Sequence, residues 1–170
     1  MEVLGFLSQV SLFSDISRDP LALEAFASQM QHRRFRPGEA ILTEGETGSE
    51  LFLLLEGQAS VFKKTSEGDE YKVALLKSES RPFFGEGGLL DTEARSATIR
   101  ADSEVECLVL SKAAFEHLCL QRPDWALPVV LRIARAVMAR LRKTNTDLSL
   151  LYRALVSEIR GEYLTGPEER

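Results

Sequence analysis

The residues best suited to do chemistry fall within one stretch, Phe84-Gly85-Glu86-Gly87-Gly88-Leu89-Leu90-Asp91-Thr92-Glu93-Ala94-Arg95-Ser96-Ala97-Thr98. It reads as a glycine-rich turn, a short helical turn over 87–90, and then an arginine and a hydroxyl entering a strand. Backbone N–H groups at a helix start attract an anion. The Arg95 fork matches phosphate oxygens in a plane, and Ser96 adds a further donor. A carboxylate is wrong for phosphate alone, yet Glu86 suits a sugar hydroxyl. One donor-rich end and one acceptor end describe a ligand carrying both a phosphate and a ribose. The competing structural reading pairs Glu86 with Arg95 in an internal ion pair, and in an empty site the two coexist.

The rest of the chain must position that stretch. At 170 residues and 19.0 kDa it is one domain long, or one domain with an accessory element. It is 44% hydrophobic, enough for a full core, and its net charge of −5 argues against nucleic-acid binding by the chain as a whole. Charge divides unevenly: residues 1–122 carry −7 and residues 123–170 carry +2. The expected organisation follows that break, with a domain over 1–122, a long helix over 123–163 and a tail over 164–170.

Asp19-Pro20 is a helix start, with an N-cap carboxylate and proline at the first position. Leu21, Leu23, Phe26 and Met30 then recur at spacings that one helix side buries. From Arg33 to Leu110 the texture becomes short apolar runs punctuated by glycine. Leu51–Leu55, Ala59–Phe62, Val73–Leu76 and two pieces within Ile99–Leu110 are strand candidates, with a turn at Ser66-Glu67-Gly68-Asp69. Close spacing of this kind predicts a β-roll, jelly-roll-like, flanked by N-terminal helices. Ser111 caps a further helix through Leu120, and Pro123 marks a break.

The last segment holds a heptad seam. Leu127, Leu131, Ala134, Met138, Leu141, Asn145, Leu148, Tyr152, Leu155 and Ile159 alternate in steps of four and three. Residues 131, 138, 145, 152 and 159 take a positions and the others d, which predicts a homodimer through 127–159. Packing against the roll would give a wider stripe and would not need such length. Pro128 places the helix start, or a kink, near Leu127.

The ordered set of motifs resembles the cyclic-nucleotide-binding domains, the family of catabolite activator protein and the regulatory subunit of protein kinase A. The stretch at 84–98 is similar to that family's phosphate-binding cassette. Arg36-Pro37-Gly38-Glu39-Ala40-Ile41-Leu42 and Glu44-Gly45-Glu46-Thr47-Gly48 resemble its first glycine turns. Leu51 through Ala59 resembles its next strand pair, and Leu12-Phe13-Ser14-Asp15-Ile16 its N-terminal entry. The resemblance covers roughly residues 10 to 160. It implies a double-stranded β-helix roll and a long C-terminal dimerisation helix. It also implies that Glu86 accepts from the ribose 2′-OH, that Arg95 pairs with the cyclic phosphate, and that Ser96, Ala97 and the amides of Gly85, Gly87 and Gly88 complete the cradle. One departure is Gly87, where the family usually carries an apolar side chain: either a packing group under the short helix is missing, or the backbone approaches the phosphate more closely.

Alignment with the family's long helix sets Thr144 and Asn145 against the base. Asn145 keeps two readings, a base contact or a buried polar a-position residue that fixes dimer register. Ser96 fits either cAMP or cGMP in that family, while the Thr144-Asn145 pair favours adenine, so cAMP is expected ahead of cGMP as the ligand, with no other cofactor and no metal. The expected protein is a stand-alone cyclic-nucleotide receptor that moves its C-terminal helix to alter a surface read by an effector protein. A ligand-free, degenerate scaffold is the alternative. Eleven residues beyond Ile159 are too few for a helix-turn-helix, so DNA is not an expected partner. The basic cluster Arg132, Arg135, Arg140, Arg142 and Lys143 reads as a solvated coiled-coil flank, with an acidic partner or nucleic acid as the second choice.

Catalysis is not expected. A metal-dependent cupin needs several inward histidines and a carboxylate, and the chain offers only His32, before the roll, and His117, on a helix. Cys107 and Cys119 lack metal-ligand spacing, and Cys119 reads as a small buried hydrophobe. The N-terminus lacks a signal peptide's basic start and apolar stretch, and no run is long enough to span a membrane. The expected setting is reduced and cytoplasmic.

Overall fold

The computed structural model describes residues 3–91 and 94–159. Thr92 and Glu93, the expected helix end at 163 and the expected tail 164–170 lie outside them. Two units make up the chain, residues 1–132 and 133–170.

The first unit opens with α1 (Val3–Leu7), a 3-10 turn (Ser11–Phe13) and α2 (Pro20–Ser28). Asp19 caps α2 as expected, its carboxylate accepting from the Leu21 and Ala22 amides. The inward side is Ala22, Leu23 and Phe26, with Phe26 tilted between Phe13 and Phe115. Leu21 is instead exposed, because the residue after Pro20 at the helix start turns outward. Met30 does not belong to the helix either: it opens the first strand.

Eight strands follow: β1 (Met30–Phe35), β2 (Ala40–Leu42), β3 (Glu50–Glu56), β4 (Gln58–Lys64), β5 (Glu70–Lys77), β6 (Phe83–Phe84), β7 (Thr98–Ala101) and β8 (Val105–Ser111). They form two antiparallel four-stranded sheets, ordered β1-β8-β3-β6 and β2-β7-β4-β5. The roll therefore begins three residues before Arg33, and His32 is a strand residue rather than a residue preceding the roll; its Nδ1 lies 2.6 Å from Glu106 Oε1.

Alternation assigns the two faces of each central strand. Phe52 and Leu54 of β3, with Val105, Cys107 and Val109 of β8, join Phe35, Ile41, Ala59, Phe84, Ile99 and Ala101 in the core between the sheets. Their neighbours Leu51, Leu53, Leu108 and Leu110 point the other way and are buried as completely. A strand covered on both faces needs an unbroken apolar run, which is why Leu51–Leu55 does not alternate. The edge strand β5 is exposed along most of its length.

A short helix, α3 (Gly87–Leu90), coincides with the expected helical turn. Beyond β8, Ser111 caps α4 (Lys112–Gln121), its hydroxyl accepting from the Ala114 amide. The long helix α5 runs Pro123–Ile159, so it starts four residues before Leu127 and holds Pro128 inside its second turn. Pro123 is the first helical residue, where its missing N–H costs nothing. Pro128 forfeits a single backbone bond near a helix end, and α5 continues through it. Arg132, at one end of the basic cluster, is partly exposed and donates two hydrogen bonds to Asp15, of 2.8 and 2.5 Å.

Candidate functional site

The site starts from an aromatic anchor. Phe84 on β6 stacks parallel to Phe52 on β3, ring centroids 5.5 Å apart, which fixes where the chain leaves the sheet. Gly85 then takes φ 74°, a left-handed conformation that glycine adopts without strain. Glu86 sits at the N-cap of α3 and is only 6% exposed. The Asp91 amide closes α3 by donating to the Gly87 carbonyl at 2.8 Å, and Leu89 anchors the helix as a buried side chain.

Arg95 arrives from the far side of the loop and is 8% exposed. Its backbone is tied to the segment before β3: its N–H donates to the Glu46 carbonyl at 2.8 Å, and its carbonyl accepts from the Gly45 amide at 2.9 Å. A bridge between Thr47 and Ala94 extends that pairing. The guanidinium folds into a cage. Nη1 donates to the Gly85 carbonyl and Nη2 to the Glu50 carbonyl, both at 2.9 Å. A Cβ on Gly48 would lie 2.5 Å from Nε and Nη2, and one on Gly88 would lie 2.5 Å from the Gly48 carbonyl oxygen. Glycine at 48 and 88 is thus what lets the guanidinium lie flat between two backbone segments.

Electrostatics sharpen the picture. Burial pulls the Arg95 guanidinium below its usual pKa, while the charges of Glu50 and Glu86 pull it back up. Glu50 spends its carboxylate on Arg33, with hydrogen bonds of 2.6 and 3.0 Å. Arg95 is therefore a desolvated cation whose two hydrogen bonds here go to neutral carbonyl oxygens. An anion within reach would restore what burial removes.

Ser96 is exposed and Ala97 half-buried directly after Arg95, while Thr98 turns inward and accepts from the Glu44 amide at 3.0 Å. Gly85, Glu86, Gly88 and Arg95 are brought together by these contacts. The loop system thus holds a buried guanidinium, Arg95, and a buried carboxylate, Glu86. Among the described residues no group of three or more His, Cys, Asp or Glu side chains could hold a metal ion, and no helix is long and apolar enough to cross a membrane.

A family model described as "Cyclic nucleotide-binding domain" matches residues 32–122, more than half of the chain. The chain belongs to the cyclic nucleotide-binding domain family. A cAMP-dependent protein kinase regulatory subunit from Yarrowia lipolytica is 38% identical over 117 residues, which is 67% of this chain and 28% of that relative. The chain thus spans well under half the length of that relative. Among solved structures, catabolite activator protein of Thermus thermophilus is similar with a TM-score of 0.73 and 30% identity, over 84% of this chain and 63% of that one. A cyclic nucleotide-binding domain from Methylobacillus flagellatus also gives a TM-score of 0.73, at 26% identity over 86% and 80% of the two chains. This family is a regulatory one, not a catalytic one.

Within this cyclic nucleotide-binding domain, Gly87 is exposed, and a Cβ there would meet nothing within 4 Å. Its Cβ direction leads into open space rather than to a packing position, and Leu89 is the buried large side chain of α3. Sequence reasoning overlooked Gly48 and the Glu50 carbonyl, which build half of the Arg95 cage. In sequence Gly48 shows only as part of a turn; its place ahead of β3, in the segment that pairs with 94–95, is the signal. Thr144 and Asn145 are exposed residues of α5 in the second unit.

Proposed function

We propose that this domain is a cyclic-nucleotide receptor whose ligand is cAMP in preference to cGMP. The observation that carries the reading is Arg95, a buried guanidinium in a glycine cage, hydrogen-bonded to carbonyl oxygens and close in charge to a buried carboxylate. The cyclic phosphate pairs with Arg95, Ser96 and the α3 amides add donors, and Glu86 accepts from the ribose 2′-OH. Relatives named as cAMP-dependent support adenine, as does the Thr144-Asn145 pair, which the family resemblance aligns with a base-contacting helix segment. Ligand binding favours one arrangement of cassette and helix over another, and shifts the population by that difference in affinity. The altered surface then speaks to an effector protein.

The exposed seam supports a homodimer through 127–159. Leu127, Leu131, Met138, Leu141, Leu148, Tyr152 and Leu155 are all exposed on a single chain, and their alternating spacing is that of a coiled-coil partner. Asn145 then lies at an a position, where it sets register or meets the base.

Calorimetry with cAMP and 2′-deoxy-cAMP tests the ribose contact. Loss of the hydroxyl weakens binding to the wild type by roughly tenfold, the size of one charge-assisted hydrogen bond. In Glu86→Gln the same deletion costs only a few-fold, because the acceptor is neutral. Equal losses in both proteins would overturn the assignment of Glu86.

A further inference from the structure

The glycines of the cassette are not equivalent. Gly85 needs its positive φ, and Gly88 has a carbonyl oxygen 2.5 Å from where its Cβ would be. Gly87 has neither requirement: its φ lies outside the left-handed region, its Cβ direction is open, and it is exposed. The fold would accept a side chain there, and the sequence declines one.

What glycine contributes at such a position is backbone freedom. Glycine loses more conformational entropy on ordering than any other residue, and replacing it by alanine at a compatible position removes part of that loss. Position 87 is also where that freedom matters most. Three of the five residues from 85 to 89 are glycine, and α3 is four residues long. The described backbone hydrogen bonds of α3 are local ones, from the Gly88 amide to the Gly85 carbonyl, the Leu89 amide to the Glu86 carbonyl and the Asp91 amide to the Gly87 carbonyl; Arg95 adds its bond to the Gly85 carbonyl, and Glu86, Gly88 and Leu89 are buried. Leu90, the other large side chain of α3, is exposed.

Resting on the reading of this loop as the nucleotide site, we propose that Gly87 is an affinity-setting residue: it keeps α3 loosely ordered without ligand, so that ordering α3 is part of binding and weakens it. The donors that face the phosphate are then only partly preorganised in the free domain, and ligand completes them. The apparent affinity falls by the fraction of domains already ordered.

Gly87→Ala tests this on the full chain. The variant binds cAMP about two- to fivefold more tightly than the wild type, the span that a glycine-to-alanine change at a compatible site corresponds to. Amide exchange over residues 88–91 slows in the ligand-free variant. Affinity equal to or weaker than that of the wild type overturns the proposal, and so does unchanged exchange in the ligand-free protein. A wild type that takes up no cyclic nucleotide would sink the proposed function instead, and the exchange comparison would still report whether Gly87 governs the order of α3.

Discussion

The roll and the long helix satisfy their side chains in opposite ways. In the roll, polar groups find partners within the chain: Arg33 with Glu50, Ser60 with Asp102, the Glu44 amide with Thr98. Among the described residues no buried side-chain nitrogen or oxygen lacks a hydrogen-bond partner. Along α5 the seam from Leu127 to Leu155 holds seven large apolar side chains in the open. Folding of one chain buries the apolar side chains of the roll and leaves those of the helix seam exposed. Within the roll, Arg95 is a buried cation whose described hydrogen bonds go to the Gly85 and Glu50 carbonyl oxygens, which is where an anionic ligand has much to offer.

Breaking the helix side of this contrast gives the largest effect. Replacing Leu141 and Leu148 with glutamate removes four leucines from a dimer, each contributing about 1.5–3 kcal/mol when fully buried, so sedimentation should find monomers at micromolar concentration. A dimer that persists would show that the seam packs elsewhere. Breaking the roll side comes next. Arg95→Ala should weaken cAMP binding by about ten- to a hundredfold, from a charged hydrogen bond of ~1.5–3 kcal/mol, with the dimer unchanged; calorimetry at undiminished affinity would remove Arg95 from the site. Ser96→Ala sharpens the comparison by losing one exposed donor, an effect of a few-fold for a neutral hydrogen bond of ~0.5–1.5 kcal/mol.

A last test, silent at neutral pH, probes the core itself. Burial pushes the Cys107 thiol up to about 12. Its folded pKa is raised, so its contribution to stability is intact below the unfolded value and is lost as pH rises towards 12. Cys107→Val should flatten the alkaline limb of a stability-against-pH curve, and an identical limb would mean that other groups govern it. In the native wild type, Cys107 should also stay unreactive towards iodoacetamide at pH 8.

Local chemistry made much of this legible in sequence. Asp19 and Ser111 announce their helices because a short polar side chain before an apolar pattern has one good use. The unbroken run Leu51–Leu55 is a strand buried on both faces. What escaped depends on contacts across the chain. Met30 has a helical spacing to Phe26, yet pairing with Leu110 draws it into a strand. Pro128 reads as a boundary because the loss of one hydrogen bond looks decisive locally, and the helix carries on. The Arg95 cage was half hidden, since Gly48 and the Glu50 carbonyl act through bare backbone nearly fifty residues away in sequence, and backbone leaves no side-chain signature.

One measurement bears most directly on the account: thermal unfolding of the wild type with cAMP, cGMP, a cyclic dinucleotide and 5′-AMP. At a hundred times its dissociation constant a ligand adds ~2.7 kcal/mol, and at about 2–4 °C per kcal/mol this raises Tm by roughly 5–10 °C. The account predicts that rise with cAMP, less with cGMP at the same concentration, and none with 5′-AMP. An unchanged Tm with every nucleotide would contradict it and leave a dimeric scaffold with an empty cassette.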